Sequence, residues 1–169
     1  MEVFVKRENW DGGIWMKLPA SEEQAEQVLE ELAGYHPSRM IPFIGDVKAP
    51  VAGLAHLLIG EFVFQESNLG QLNYLAAKIG SWTEQERAVF ETVLQNEKPD
   101  SLIRIVEGME HLDQYECHPE IKSLEQYGHD LFEREGRTLP VELIGYFDYE
   151  AYGRLNMKSS ERLTDEGLI

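Results

Sequence analysis

Residues that could bind a metal or act as a nucleophile cluster between positions 111 and 118. His111, Asp113, Cys117 and His118 lie within eight residues of one another. Structural zinc sites use four ligands with paired spacings such as C-x2-C, and this chain has a single cysteine. Cys117 and His118 are adjacent, and adjacent residues on a strand point to opposite faces. A metal site is therefore poorly supported, and a hydrolase built on Cys117 and a histidine ranks last among the hypotheses.

Carboxylates in the same part of the chain recur at intervals of three, three, three and four residues. The row consists of Glu107, Glu110, Asp113, Glu116 and Glu120. On a helix such side chains are neighbours, with Cβ atoms about 5–6 Å apart, which is close to the spacing of phosphates along a DNA strand. Pro119 means that the row cannot be one straight helix. Two interpretations stay open: a row that imitates phosphates at the cost of mutual repulsion, and an ordinary solvated surface.

Sequence motifs of the commonest catalytic mechanisms are absent. The chain contains no G-x-x-x-x-G-K-[ST], G-x-G-x-x-G, H-E-x-x-H or G-x-S-x-G, the patterns of phosphate loops, dinucleotide sites, zinc proteases and serine hydrolases. Its 31 acidic residues produce many accidental carboxylate pairs, none of them in an apolar setting that would raise a pKa. The sequence therefore predicts a protein that is not an enzyme.

The charge of the chain is strongly negative. Asp and Glu number 31 against 15 Lys and Arg, a net charge of −16, and residues 84–150 alone carry −11. Nucleic-acid binders usually have a basic surface, so we expect no direct contact with nucleic acid. An acidic surface attracts basic partners, including the DNA-binding clefts of other proteins. By composition alone, the acidity could equally serve solubility.

The remaining composition limits the class of protein. A length of 169 residues, 43% of them apolar, fits one domain or two or three very small ones with a packed core. One cysteine excludes an intramolecular disulfide. The first residues lack the apolar core of a signal peptide, and no apolar run approaches the roughly 18 residues of a membrane helix. We therefore expect a cytoplasmic protein without a membrane partner.

The first third of the chain alternates strand and helix patterns. Apolar alternation on both sides of Gly12–Gly13 predicts a β-hairpin. Ser21 and Gln24 have the spacing of a capping box that begins a helix, and Gly34 is a candidate for its end. Residues 40–47 predict an edge strand or a bulge, because a proline and a glycine interrupt them.

Helical patterns dominate the rest of the chain. Apolar residues at helical spacing predict helices within 68–80, 83–94, 102–109 and 121–136. Thr83 and Glu86 form a second capping box, and Pro140 opens a further short helix. Residues 51–64 are less clear and fit a short helix followed by a strand at 61–64. Residues 163–169 are compatible with a strand, so the fold class is α+β.

Four segments carry a resemblance to a known family. Y-F-D-Y-E-A-Y-G-R at 146–154 closely resembles a segment near the C-terminus of ArdA-type antirestriction proteins. L-G-Q-L-N-Y-L-A at 69–76 resembles the family's central helix. L-D-Q-Y-E-C-H-P-E-I-K-S-L-E-Q-Y-G at 112–128 resembles the stretch before the family's last helices. T-D-E-G-L-I at 164–169 resembles the family's closing strand. Order and spacing agree from about residue 40 onward.

The resemblance implies an architecture that the spacing of residues alone does not indicate. It implies an elongated chain of small domains, with an N-terminal α+β domain at 1–66, a central helical domain at 67–112 and a C-terminal α+β domain at 113–169. It also implies a homodimer without a cofactor, carried on mobile elements and phages. The aromatic residues Tyr146, Phe147, Tyr149 and Tyr152 have two interpretations, a packed core, which we favour, and a dimer contact.

The function implied is inhibition of type I restriction–modification enzymes. Family members imitate the charge of DNA and block the DNA-binding groove of these enzymes. The carboxylates predicted to contact such a partner here are Glu107, Glu110, Asp113, Glu116, Glu120, Glu125 and Asp130. The alternative is an acidic interaction or regulatory module with the same fold and a different target.

Overall fold

A computed structural model describes residues 1–8, 11–35, 41–65 and 67–169. It divides the chain into two compact units, Met1–Leu112 and Asp113–Ile169. The fold is α+β, as predicted: a small antiparallel sheet near the N-terminus is followed by mostly helices. The three-domain division at 1–66, 67–112 and 113–169 stays a prediction.

The N-terminal sheet contains three antiparallel strands in the order β2-β1-β3. They are β1 (Glu2–Lys6), β2 (Gly13–Lys17) and β3 (Phe43–Lys48). The predicted hairpin is confirmed by the pairing of β1 with β2. The strand predicted at 40–47 is confirmed from Phe43 onward and lies at the sheet edge, while its first residue, Met40, lies outside the described residues.

A bulge at Gly45 explains the uneven pattern of β3. Val5 pairs with Ile44 and Phe4 pairs with Asp46, so Gly45 is the extra residue between two successive pairs. One extra residue shifts the alternation of side chains between the two faces of a strand. Ile44 and Val47 are therefore both buried although they are three residues apart.

Five helices, of which α2 is a single short turn, complete the described part of the first unit. They are α1 (Glu22–Tyr35), α2 (Leu54–Leu58), α3 (Asn68–Ser81), α4 (Glu84–Glu97) and α5 (Leu102–Met109). Both predicted capping boxes are present, since Ser21 and Gln24 exchange hydrogen bonds of 2.9 and 3.2 Å and Thr83 and Glu86 do the same at 2.7 and 3.2 Å. These caps satisfy amide groups that the first helical turn leaves without partners.

Three local predictions for the first unit were wrong. Gly34 and Gly80 do not end their helices, which continue to Tyr35 and Ser81. The strand predicted at 61–64 is reduced to a single bridge between Phe43 and Phe62. Glycine lowers helix propensity by only about 1 kcal/mol, so the packing of the helix decides where it ends.

The second unit contains two helices, two short strands and 3-10 turns. A 3-10 turn at Leu112–Gln114 is followed by α6 (Leu124–Arg134), a 3-10 helix at Val141–Tyr146, α7 (Tyr149–Asn156), β4 (Leu163–Thr164) and β5 (Gly167–Leu168). The strand predicted at 163–169 is thus a two-stranded hairpin. Ile121, Tyr127 and Leu168 form the buried cluster of this unit.

Candidate protein-interaction surface

The predicted row of carboxylates does not lie on one helix. Glu107 is in α5, which ends at Met109, and Glu110 is its C-terminal cap. Asp113 lies in the 3-10 turn. After the 3-10 turn that contains Asp113 the backbone is no longer helical, because His118 exchanges two backbone hydrogen bonds of 2.7 and 3.1 Å with Leu168.

Helical spacing therefore applies only to the start of the row, and the interruption that Pro119 indicates begins earlier, after Met109. Glu116 and Glu120 flank a β-bridge instead of occupying a helical face. Pro119 reinforces this course, since the residue before a proline avoids the helical region. The acids are distributed over both units, with Glu107 and Glu110 in the first and the others in the second.

Two of the seven predicted carboxylates are neutralised by arginine. Glu107 forms an ion pair with Arg104 at 2.8 Å, and Asp130 forms one with Arg134 at 2.6 Å. These pairs have the i,i+3 and i,i+4 spacing that brings side chains together on a helix, so the sequence could have indicated them.

The other five carboxylates have no Lys or Arg within ion-pair distance among the described residues. They are Glu110, Asp113, Glu116, Glu120 and Glu125, and all five are exposed. Glu116 and Glu120 lie 3.8 and 3.4 Å from the ring of His118, and the Glu116 side chain is 89% exposed. These five side chains present negative charge to solvent, which a basic partner can neutralise.

Glu110 is held in place by a contact that no local spacing indicates. The Tyr74 hydroxyl donates a hydrogen bond of 2.5 Å to its carboxylate from α3. This hydrogen bond, to an acceptor that is negatively charged, raises the pKa of Tyr74. The bond fixes the position of the Glu110 carboxylate.

A second acidic surface, on α1, is missing from the predicted site. It consists of Glu22, Glu23, Glu26, Glu30 and Glu31, all of them exposed and without an ion-pair partner among the residues described. Glutamates four residues apart on a helix repel one another, whereas Glu22 and Glu23 lie in the first turn, where the helix dipole favours negative charge. The helical spacing of these acids indicates this surface in the sequence.

The segment at 146–154 has a clear role in packing. The Asp148 side chain caps α7 by accepting a hydrogen bond of 2.8 Å from the amide of Ala151. Phe147, Tyr149 and Tyr152 surround Phe132 of α6, with ring centroids 5.0 to 5.7 Å from it.

The packed-core interpretation of these aromatic residues is therefore confirmed for three of the four. Phe147, Tyr149 and Tyr152 are half-buried. The interpretation is wrong for Tyr146, which is 86% exposed. It ends the 3-10 helix at Val141–Tyr146, and all six residues of that helix are exposed.

The contacts of Cys117 and His118 in the structure do not support the catalytic and metal-binding alternatives. The Cys117 thiol donates to the backbone carbonyl of Glu166 at 3.8 Å, and the His118 ring lies between two carboxylates. Over the described ranges, no three His, Cys, Asp or Glu side chains are grouped so as to hold a metal. In the same part of the chain, no helix has the length and apolar character to cross a membrane.

Tyr127 is the most strongly shifted ionisable group of the second unit. It is 1% exposed, and its hydroxyl donates a hydrogen bond of 2.7 Å to Glu161. Burial, together with that hydrogen bond, raises the pKa of Tyr127 to about 12. The protonated form is thus favoured by folding, so this contribution to stability is complete below pH 10 and is lost as the pH rises towards 12.

This shift predicts an alkaline loss of stability that Tyr127→Phe removes. A change of two pKa units corresponds to about 2.7 kcal/mol. Between pH 10 and pH 12 we expect the free energy of unfolding of the wild type to fall by about 2 kcal/mol more than that of the variant. Urea denaturation across this pH range measures the difference. Tyr146→Phe is the matched control and should follow the wild type, whereas parallel profiles for Tyr127→Phe would contradict the assignment.

Taken together, the fold and the site define a small acidic α+β protein with a solvent-facing surface of carboxylates. The family model described as Antirestriction protein (ArdA) matches residues 11–169. The chain therefore belongs to the ArdA family of antirestriction proteins. A search of curated proteins found no match.

Proposed function

We propose that this protein inhibits type I restriction–modification enzymes by occupying their DNA-binding groove with carboxylates. The observation that carries the proposal is the set of five exposed carboxylates that have no Lys or Arg within ion-pair distance in the described part of a chain that belongs to the ArdA family. The lysines and arginines of a DNA-binding groove are placed to neutralise phosphates. Fixed carboxylates in the same positions compete for them and exclude DNA.

Inhibition by mimicry involves no chemical reaction of the inhibitor. The inhibitor supplies charge and shape, and no bond is made or broken, so inhibition requires no turnover and no cofactor. The seven predicted carboxylates share the contact, with Glu107 and Asp130 contributing less because an arginine neutralises each of them.

The test is competition at several salt concentrations. A type I restriction–modification enzyme is mixed with labelled duplex carrying its recognition site, and increasing amounts of the inhibitor are added. We expect displacement of the duplex. The affinity of labelled inhibitor for the enzyme without DNA should fall at least about tenfold between 50 and 200 mM salt, since exposed charge pairs are screened.

Either result of this experiment decides between the two hypotheses. Displacement together with a salt-dependent affinity supports mimicry. An absence of displacement at low salt and high inhibitor concentration would leave the acidic module with a different target as the better explanation. A salt-independent complex would likewise contradict a contact based on carboxylates.

A homodimer is part of the same proposal. The supporting observation is the exposed 3-10 helix Val141–Tyr146, where Val141 is 81% and Tyr146 86% exposed. Apolar residues grouped in this way mark a protein contact more often than scattered ones do. Sedimentation equilibrium should give twice the mass of the chain, and Val141→Asp with Tyr146→Asp should give the single mass. A wild-type chain that sediments as a monomer at micromolar concentration would contradict the dimer.

A further inference from the structure

The outer face of the N-terminal sheet differs in character from the rest of the molecule. Val3, Val5 and Met16 point to the buried face, and the strand pairing then sets the residues of the other face. The side chains on that face are Glu2, Phe4, Lys6, Trp15, Lys17, Phe43, Asp46 and Lys48. The bridge between Phe43 and Phe62 adds Phe62, which is 41% exposed.

Aromatic rings and lysines alternate across this face. The rings of Phe4 and Trp15 lie 5.2 Å apart between centroids. The Lys48 ammonium lies 4.0 Å from the centre of the Trp15 ring, and the Lys6 ammonium lies 5.8 Å from the centre of the Phe43 ring. Trp15 remains 38% exposed, so a planar group from a partner can reach it.

Two glycines allow these side chains to lie flat on the sheet. A Cβ at Gly13 would lie 2.7 Å from the Phe4 ring, and a Cβ at Gly45 would lie 2.5 Å from Cδ of Lys6. Both distances are shorter than side chains tolerate. The glycines thus lower the surface beneath Phe4 and Lys6 and leave the face broad and shallow.

The side chains on this face carry a net positive charge, whereas the chain as a whole is negative. Lys6, Lys17 and Lys48 are three of the seven lysines in the sequence, and the face carries only Glu2 and Asp46 as acids. Glu2 pairs with Lys48 at 3.4 Å, while Lys6 and Lys17 have no carboxylate within ion-pair distance in the described ranges. At about 0.1 M salt, charges more than roughly 10 Å away are largely screened. The whole-chain charge of −16 therefore does not decide what this face binds.

Although the net charge of the chain predicts no direct contact with nucleic acid, we infer that this sheet face, the aromatic–lysine face, binds short single-stranded nucleic acid. Exposed rings stack on unpaired bases without regard to sequence, and the neighbouring lysines attract phosphates. Bases in a duplex are stacked on each other and do not present their faces to a protein. An acidic peptide would engage the lysines and leave the rings without a partner, so the combination favours an unpaired oligonucleotide.

The test measures fluorescence anisotropy of a labelled 12-nucleotide oligothymidylate with the full chain. At about 50 mM salt we expect a Kd of roughly 10–100 µM, the range of non-specific binding. With Lys6 and Lys17, the two lysines of the face without a carboxylate partner, contacting phosphates, log K should fall with log salt at a slope of about −1.4. Trp15→Ala should weaken binding about tenfold, as loss of one stacked base does, and Lys6→Gln with Lys17→Gln should weaken it and reduce the slope.

Matched controls keep this result interpretable. Tyr74→Ala removes a ring that is also 38% exposed, and Lys78→Gln with Lys98→Gln removes two charges from helical parts of the same unit; these variants should bind like the wild type. Circular dichroism confirms folding of each variant. The variants of the aromatic–lysine face and the Lys78–Lys98 control should retain inhibition of the restriction enzyme, which separates this site from the proposed function; Tyr74→Ala is a control for oligonucleotide binding only, because Tyr74 contacts Glu110.

Three results would overturn the inference. The first is no change in anisotropy at 1 mM protein and low salt. The second is unchanged binding by a folded Trp15→Ala variant. The third is displacement of the oligonucleotide by polyglutamate as readily as by unlabelled oligothymidylate, which would make the face a docking surface for acidic protein.

Discussion

Gly128→Ala is expected to lower the free energy of unfolding by about 3 kcal/mol, the upper part of the range for overpacking a core. Gly128 lies where α6 crosses α7, and a Cβ there would lie 1.9 Å from the carbonyl oxygen of Tyr149 and 2.9 Å from the amide nitrogen of Gly153. These are backbone atoms, which cannot move aside as the end of a flexible side chain can. The helices would have to separate and give up the packing of the aromatic residues around Phe132.

The measurement is urea denaturation followed by the near-ultraviolet circular dichroism of tyrosine. All three tryptophans precede residue 113, so tryptophan fluorescence reports the first unit and serves as an internal reference. Gly145→Ala is the matched control within the second unit, because a Cβ there would meet nothing within 4 Å; it should stay within about 0.5 kcal/mol of the wild type. A Gly128→Ala variant as stable as this control would show that the crossing is not close.

The features of this fold that the sequence predicts are those that depend on neighbours in the chain. The capping boxes at Ser21 and Thr83 need only a partner three residues away, and both are present. The crossing of α6 and α7 depends on Gly128 and Gly153, which are 25 residues apart. By spacing, Gly128 merely continues an apolar helix face, so its role appears only when the second helix is in place.

The acidic residues of the candidate site could be predicted from the sequence, but their arrangement in space could not. The helical spacing of the acids from Glu107 to Glu120 is overridden by the hydrogen bonds between His118 and Leu168, a contact across 50 residues. The arginine neutralising Asp130 was readable from its i,i+4 spacing. By contrast, the bond from Tyr74 to Glu110 joins two helices and has no local signal.

Neutralising together the five carboxylates that have no Lys or Arg partner is expected to weaken binding to a type I restriction–modification enzyme about 70-fold. The substitutions are Glu110→Gln, Asp113→Asn, Glu116→Gln, Glu120→Gln and Glu125→Gln. An exposed charge pair contributes roughly 0.5 kcal/mol, so five independent contacts amount to about 2.5 kcal/mol. Each single substitution should reduce affinity only two- to threefold, because mimicry distributes the contact over many charges. Titration of labelled inhibitor with the enzyme at constant salt measures each step.

The α1 surface supplies a control with the same chemistry and the same change in charge. Converting Glu22, Glu23, Glu26, Glu30 and Glu31 to glutamine also removes five negative charges. It relieves repulsion between glutamates four residues apart, and it gives up the favourable interaction of Glu22 and Glu23 with the helix dipole. Because these effects oppose each other, the variant should stay within about 1 kcal/mol of the wild type in stability and should lose little affinity. An equal loss in both variants would mean that total charge, not the residues between 107 and 130, determines binding. If one substitution abolished binding, a conventional interface with a single dominant residue would replace mimicry as the explanation.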